Sequence, residues 1–310
     1  MTPLIWAYSE SDEAANELST AANQIANAIG GQSVMLEIGG PRSGVSATSK
    51  LVLKTGTQPP HPSDVVSEML YRAAQKSPPS VILVGSTRRG REVAARLAAK
   101  MGTGSMSDAF ELAVSGQMLT GSRNVYAGRV LARMSAPMPC VATVKLGAYP
   151  AAAANGGEVQ ELEVGEIPSR VKILRETKKE SGNVDLRKAR VIISAGRGVK
   201  RKEDLAMLEA LAKAMGAALG CSRPLSSDLG WLPEECHIGL TGVSVRPELY
   251  LAVGISGQLQ HVAGIKDSKV IAAINSDKDA PIFQAADYGV VGDLYQVIPA
   301  IQRLVSAKTS

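Results

Sequence analysis

Short apolar runs alternate along this chain with longer segments in which apolar residues recur every three or four positions. In the first half, residues 4–8, 34–38, 51–54 and 81–84 are runs of strand length. Between them, residues 12–29, 62–76 and 91–101 have the helical period, and Val93, Ala94, Leu97, Ala98 and Met101 fall on one face. Ser11 or Asp12 can cap the first helix, Gly30 and Gly31 stop it, and Ser63 or Asp64 stands near the start of the second. Residues 39–50, rich in Gly, Ser and Pro, read as loop. Strand-like pieces at 110–114, 129–134 and 140–145 extend or close the same sheet, although the pattern does not pair them.

The second half repeats the alternation. Residues 190–195, 217–220, 249–253, 269–274 and 289–291 read as strands. Leu205, Leu208, Leu211, Ala212 and Met215 mark one helix, and a last helix runs from Asp293 to about residue 305. Continuous apolar strands separated by helices predict parallel sheets covered on both faces, an α/β fold. Between the halves, residues 151–188 open with four alanines and two glycines, alternate Glu with apolar residues, and are strongly charged over 170–179. This reads as a strand or two followed by an exposed connector, or as a helical arm that wraps a partner subunit. A chain of 310 residues suits two domains, here 1–185 and 186–310.

Composition narrows the class without changing that picture. Aromatics are only 4%, so the core is aliphatic and alanine-rich. The net charge of +5 admits an acidic partner, but 29 acidic residues stand against 34 basic ones. No Lys/Arg run is interleaved with aromatics, so a solvated mixed surface is read, not a nucleic-acid face. Cys140, Cys221 and Cys236 are too scattered for a disulfide framework or a metal motif, which suits reduced thiols in a cytoplasm. The start has no basic segment followed by an apolar one, and no run reaches about 18 apolar residues, so neither a signal peptide nor membrane insertion is expected.

Chemistry concentrates where strands end. After Val253 come Gly254, Ser256 and Gly257, and after Ile274 come Asn275 and Asp277. Glycines at the carboxyl end of a buried strand let backbone N–H groups approach a ligand, as at nucleotide sites. Gly196, Arg197 and Gly198 form a similar strand–Gly–helix turn, in which an always-charged Arg197 suits a pyrophosphate or is a plain surface arginine. Residues 85–91 (Gly-Ser-Thr-Arg-Arg-Gly-Arg) join a strand to a helix and could bind an anion, but a structural role is the better reading. Short glycine motifs recur by chance, so these turns alone also fit a bare α/β domain.

The wider string is more specific. Leu249-Tyr250-Leu251-Ala252-Val253-Gly254-Ile255-Ser256-Gly257, then Gln260-His261 and Ala263-Gly264, resembles the signature of the electron transfer flavoprotein alpha subunit. Gly196-Arg197-Gly198, Ser222-Arg223-Pro224, Ile274-Asn275 and the segment from Ala280 to Gly289 stand in that family's order and spacing. The likeness is strong from about Ala189 onward and weaker before it. It implies an N-terminal adenine-nucleotide-hydrolase-like docking domain without its own cofactor, followed by a Rossmann-like FAD-binding domain.

The resemblance also implies a heterodimer with an electron transfer flavoprotein beta subunit. An acyl-CoA-type or other dehydrogenase would donate electrons and a flavoprotein quinone oxidoreductase would accept them, with the flavin carrying the chemistry and no catalytic nucleophile needed. The chain is then an electron carrier and not a substrate-converting enzyme. The implied cofactor contacts are Arg197, Ser222, Arg223, Ile238, Gly239, Leu240, Thr241, Ser256, Gly257, Gln258, Leu259, Gln260, His261, Asn275, Asp293 and Leu294. Arg223 would lie against the flavin ring, Thr241 near its N5, and His261 near its N1–C2=O edge as donor or cation. Without the resemblance, Arg223 is a helix-end ion pair, His261 a structural histidine and Asp293 an N-cap.

In the commoner branch of the family a Gln stands at position 240 and a Lys at 243. Leu240 and Val243 here resemble the branch associated with nitrogen fixation and carnitine reduction, and lean toward flavin-based bifurcation. Two other readings stay open: an NAD-dependent hydrolase or deacylase on the same scaffold, and a scaffold that has lost its cofactor.

Overall fold

The computed structural model describes residues 2–309 apart from 43, 46, 57–59, 153–156, 170, 172 and 176–184. It divides into two compact units, Met1–Glu176 and Thr177–Ser310.

The first unit runs β1 (Leu4–Tyr8), α1 (Asp12–Ala28), β2 (Gln32–Ile38), β3 (Ser49–Lys54), α2 (Ser63–Lys76), β4 (Val81–Gly85), α3 (Arg88–Met101), β5 (Ser105–Ser115), β6 (Met118–Val125), β7 (Val130–Pro137), β8 (Cys140–Val144) and β9 (Glu158–Glu163). They form a nine-stranded sheet in the order β7-β6-β5-β8-β4-β1-β2-β3-β9. All neighbours are parallel except β5–β6 and β6–β7. Alternate strand residues point to opposite faces, which is why Ile5 and Ala7 pack with α1 residues such as Leu18 and Ile25, while Trp6 and Tyr8 join Met69 and Leu70 of α2 and Leu97 of α3. Ser11 caps α1 by accepting from Ala14 N–H, and the left-handed Gly102 ends α3.

Three features were not legible in the pattern. α3 begins at Arg88 and not 91, because Thr87 supplies an N-cap that accepts from Gly90 N–H at 2.8 Å. β6 holds Thr120-Gly121-Ser122-Arg123-Asn124, which lacks apolar alternation; pairing on both edges makes it a strand. β5 shifts register twice, with Asp108 and Glu111 at positive φ, and so passes from β8 to the β6–β7 hairpin. The acidic alternation after residue 157 is one strand, β9, added parallel to β3 at the sheet edge. The helical-arm alternative for 151–188 finds no helix among the described residues of that span; 153–156, 170, 172 and 176–184 lie outside them.

The second unit runs β10 (Val191–Ala195), α4 (Leu205–Met215), β11 (Ala218–Cys221), β12 (Leu249–Val253), α5 (Leu259–Val262), β13 (Val270–Asn275), β14 (Tyr288–Val291) and α6 (Leu294–Thr309). The sheet order is β11-β10-β12-β13-β14, every pair parallel. Leu205, Leu208 and Leu211 of α4 and Leu294 and Ile298 of α6 cover one face. Full burial of each such side chain is worth roughly 1.5–3 kcal/mol. Tyr250, Ile255, Ile265 and Ile282 fill the other face. The structure is thus α/β throughout, with two parallel-dominated sheets. Among the described residues no helix is long and apolar enough to cross a membrane.

Candidate functional site

The strand order of the second unit fixes where a ligand fits. In a doubly wound sheet of order 2-1-3-4-5, the loops leaving the first and third strands run to opposite sides and leave a crevice between their carboxyl ends. Here those strands are β10 and β12. The two loops meet backbone to backbone. A Cβ on Gly196 would stand 2.3 Å from the Gly254 carbonyl oxygen, and one on Gly198 2.7 Å from Gly254 Cα. Gly198 N–H donates to the Gly254 carbonyl at 2.9 Å, and Gly254 has φ +63, the left-handed region that favours glycine.

Beyond Gly254 the chain turns again at Gly257, φ +83, whose missing side chain leaves room for the backbone of Ile282. Ile282 N–H donates to the Ser256 carbonyl, and Asn275 Nδ2 donates to the Ile255 carbonyl at 2.9 Å. These ties aim the loop outward. The N–H groups of Ser256, Gly257, Gln258, Leu259 and Gln260 donate to no acceptor among the described residues. A run of free amides is a ready anion cradle. The turn after β4 is different: Ser86 N–H donates to Val144, Thr87 N–H to Gly85 and Gly90 N–H to Thr87 Oγ1. The amides of Ser86, Thr87 and Gly90 are spent on the fold, and only those of Arg88 and Arg89 at the start of α3 have no acceptor among the described residues.

Other loops close around the same edge. Ser222, 9% exposed, follows β11 and donates its N–H to the Ala195 carbonyl. Arg223 is exposed one residue later. Ile238 is buried and donates to Cys221. Gly239 lies against the Gln260 carbonyl, to which Leu240 N–H donates at 2.7 Å. This binds the 237–243 loop to α5. Leu240 and Thr241 are exposed, as are Ser256, Gln258, Leu259 and Gln260. Gly257 and Leu294 are buried; Leu294 Cδ2 reaches within 3.1 Å of the Cβ position of Gly254.

Asn275 and Asp293 already have local work. Asn275 Oδ1 accepts from Asp277 N–H, and Asp293 Oδ1 accepts from Tyr295 N–H at 3.0 Å at the start of α6. Arg197 and Arg223 make no ion pair among the described residues. Two uncommitted guanidinium groups at a crevice of free amides suit a polyanion.

His261 is only 7% exposed, and its Nε2 lies 2.8 Å from the Tyr250 hydroxyl. Its Nδ1 is buried without a hydrogen-bond partner. The ring's pKa is lowered to about 4, chiefly by burial and also by His237, with the Ile238 backbone offsetting this in part. His237 is itself shifted down by burial and then by Arg223. Sequence reading passes over His237, Tyr250 and Tyr295. Tyr250 reads as one more apolar strand residue. Tyr295 donates to Asp204 Oδ2 at 2.6 Å and accepts from Lys200 N–H, tying the loop after β10 to α6; nothing in its spacing announces that. Among the described residues no His/Cys/Asp/Glu cluster could hold a metal ion.

A crevice of this kind defines a dinucleotide-binding α/β protein. Comparison with known proteins identifies the dinucleotide. Residues 185–266 match the electron transfer flavoprotein FAD-binding domain, and residues 6–167 match the electron transfer flavoprotein domain. Over 303 residues the chain is 34% identical to Protein FixB of Shigella dysenteriae serotype 1 (strain Sd197) and of Escherichia coli O157:H7, covering 96% of each chain. Protein FixB of Escherichia coli O7:K1 (strain IAI39 / ExPEC) is 35% identical over the same length.

The chain belongs to the electron transfer flavoprotein alpha-subunit family, of the FixB type. Its cofactor is FAD, which sets aside the NAD-dependent and cofactor-free readings. The family implies a heterodimer with a beta subunit. The residues present fit FAD: the glycine contacts that let two loops meet, the free amides at 256–260 and the unpaired arginines are what an extended dinucleotide requires. FAD supplies the electron-accepting ring when bound. The chain supplies the binding groups, their orientation and the charge around them.

Proposed function

We propose that the loops ending β10, β11, β12 and β13 hold FAD, with the 256–260 amides and Arg197 on the pyrophosphate and with Arg223, Thr241 and His261 around the flavin ring. Ser222, Ile238, Gly239 and Leu240 line the ring end, and Asn275, Asp293 and Leu294 stand toward the adenosine. A fixed cation such as Arg223 beside a ring that gains negative charge on reduction favours the reduced form. The observation that carries this reading is the run of uncommitted amides at the switch point.

The FAD-loaded heterodimer would take electrons from a dehydrogenase, of the acyl-CoA type or another, and deliver them to a flavoprotein quinone oxidoreductase. The first unit, 1–185 with its connector, serves as the docking domain, and 186–310 as the cofactor domain. Leu240 and Val243 favour the bifurcating variant, in which two acceptors share the electrons.

The test is anaerobic. The alpha–beta complex with FAD is mixed with each dehydrogenase that co-purifies with it, plus that enzyme's substrate, and flavin absorbance is followed. Bleaching by a dehydrogenase, reversed by the quinone oxidoreductase, supports the carrier role. A fully loaded complex that no such dehydrogenase reduces contradicts it. Delivery to two acceptors in equal amounts marks bifurcation.

A further inference from the structure

The buried contact between Tyr250 and His261 joins the sheet to the candidate site. Tyr250 lies on β12 and is fully buried. Its phenol is 2.8 Å from His261 Nε2. Two proton arrangements are possible. If Nε2–H donated to the phenol oxygen, the tyrosine proton would need another acceptor, and Nδ1 would keep a buried lone pair without a partner. If the phenol donates to Nε2, the ring proton sits on Nδ1, and the Ile238 carbonyl, though outside normal hydrogen-bond geometry with Nδ1, is the backbone group that favours a proton on this ring.

The second arrangement leaves fewer buried groups opposed, so it has the lower energy. Ser194 Oγ, on β10, is fully buried with no hydrogen bond of normal geometry, yet stands close enough to favour negative charge on the phenol oxygen. It therefore polarises the phenol in the direction that strengthens donation to Nε2.

We propose that Tyr250 is a positioning residue that fixes His261 as the Nδ1–H tautomer, so that the imidazole acts toward bound FAD as a neutral dipole and not as a cation. This rests on the FAD site described above. The charges that face the ring agree with it. His237 disfavours a second proton, and no carboxylate contributes to the electrostatics of His261. Burial acts in the same direction. The positive charge of the site then belongs to Arg223 and Arg197, and the potential of the flavin carries no inflection from His261.

The test is side-chain NMR of the alpha–beta complex carrying ¹⁵N-histidine, with and without FAD, from pH 5.5 to 8. The expected result is one His261 signal set with Nδ1 protonated and Nε2 bare, unchanged across that range, and present before FAD is added. An Nε2–H tautomer, or an imidazolium at pH 6 or above, overturns the proposal. Tyr250→Phe is the second measurement: the Nδ1–H population should fall severalfold while the melt stays cooperative. An unchanged tautomer in folded Tyr250→Phe overturns the assignment to Tyr250. If the FAD site itself is wrong, no flavin binds, yet the wild-type tautomer is still observed.

Discussion

Gly257→Ala tests the crevice most sharply. Gly257 sits at φ +83, and a Cβ there would stand 2.2 Å from Ile282 N and 2.4 Å from Ile282 Cα. The left-handed backbone costs an L-residue about 1–2 kcal/mol. The overlap is with backbone, which no rotamer change relieves, and such overpacking adds about 1–3 kcal/mol. Relief needs the loop to move by about 1 Å. Donors moved that far lose most of a hydrogen bond, because useful N–H···O distances end near 3.2 Å. The amides of residues 256–260 ride on this loop, so FAD affinity should fall at least tenfold, equivalent to about 1.4 kcal/mol.

Gly216→Ala is the control. Gly216 ends α4 at φ +58 with nothing within 4 Å of its Cβ position. It carries the strain without the clash and should lower the melting temperature while leaving FAD affinity unchanged. Titration of the deflavinated alpha–beta complex with FAD, read by flavin fluorescence, gives both constants. A folded Gly257→Ala variant that binds FAD within twofold of the wild type would refute the reasoning.

Two further outcomes follow from the charges. Arg223→Ala should make the flavin harder to reduce by about 60 mV, a tenfold change in a one-electron equilibrium, with Arg223→Lys intermediate; spectroelectrochemistry of the complex checks it, and an unchanged potential contradicts the role given to this cation. Acidification should destabilise the fold before its carboxylates titrate. His61, His237 and His261 all have folded pKa values below 6.5, so the unfolded chain takes up protons first. The contribution of all three is intact above pH 6.5 and falls below it; that of His261 is lost as pH falls toward 4, at up to about 1.4 kcal/mol per pH unit. Urea midpoints measured from pH 7 to pH 4.5 should fall, and fall less steeply in His261→Gln.

Much of the fold could be read from periodicity because burial on both faces of a parallel sheet leaves unbroken apolar runs. Leu249–Val253 is a strand with the bounds its pattern sets. β6 could not be read, because its stability comes from two neighbours and not from its own Gly, Ser and Asn. The candidate site was legible as a string of residues, since the glycines follow directly from the need for two backbones to touch. What those residues do locally was less visible. Asn275 and Asp293 are both engaged in turns and caps, a fact that depends on hydrogen bonds no spacing reveals. The Tyr250–His261 contact joins residues 11 apart across a strand, a turn and a short helix, and only the folded geometry brings them together.

Hydrogen–deuterium exchange of the alpha–beta complex, with and without FAD, asks directly whether the switch-point loops take the dinucleotide. The uncommitted amides from Ser256 to Gln260 should exchange fast without FAD and become strongly protected with it, along with the loop at 196–200, while residues 85–91 stay unchanged. Protection at 85–91 with none at 256–260 would contradict the account.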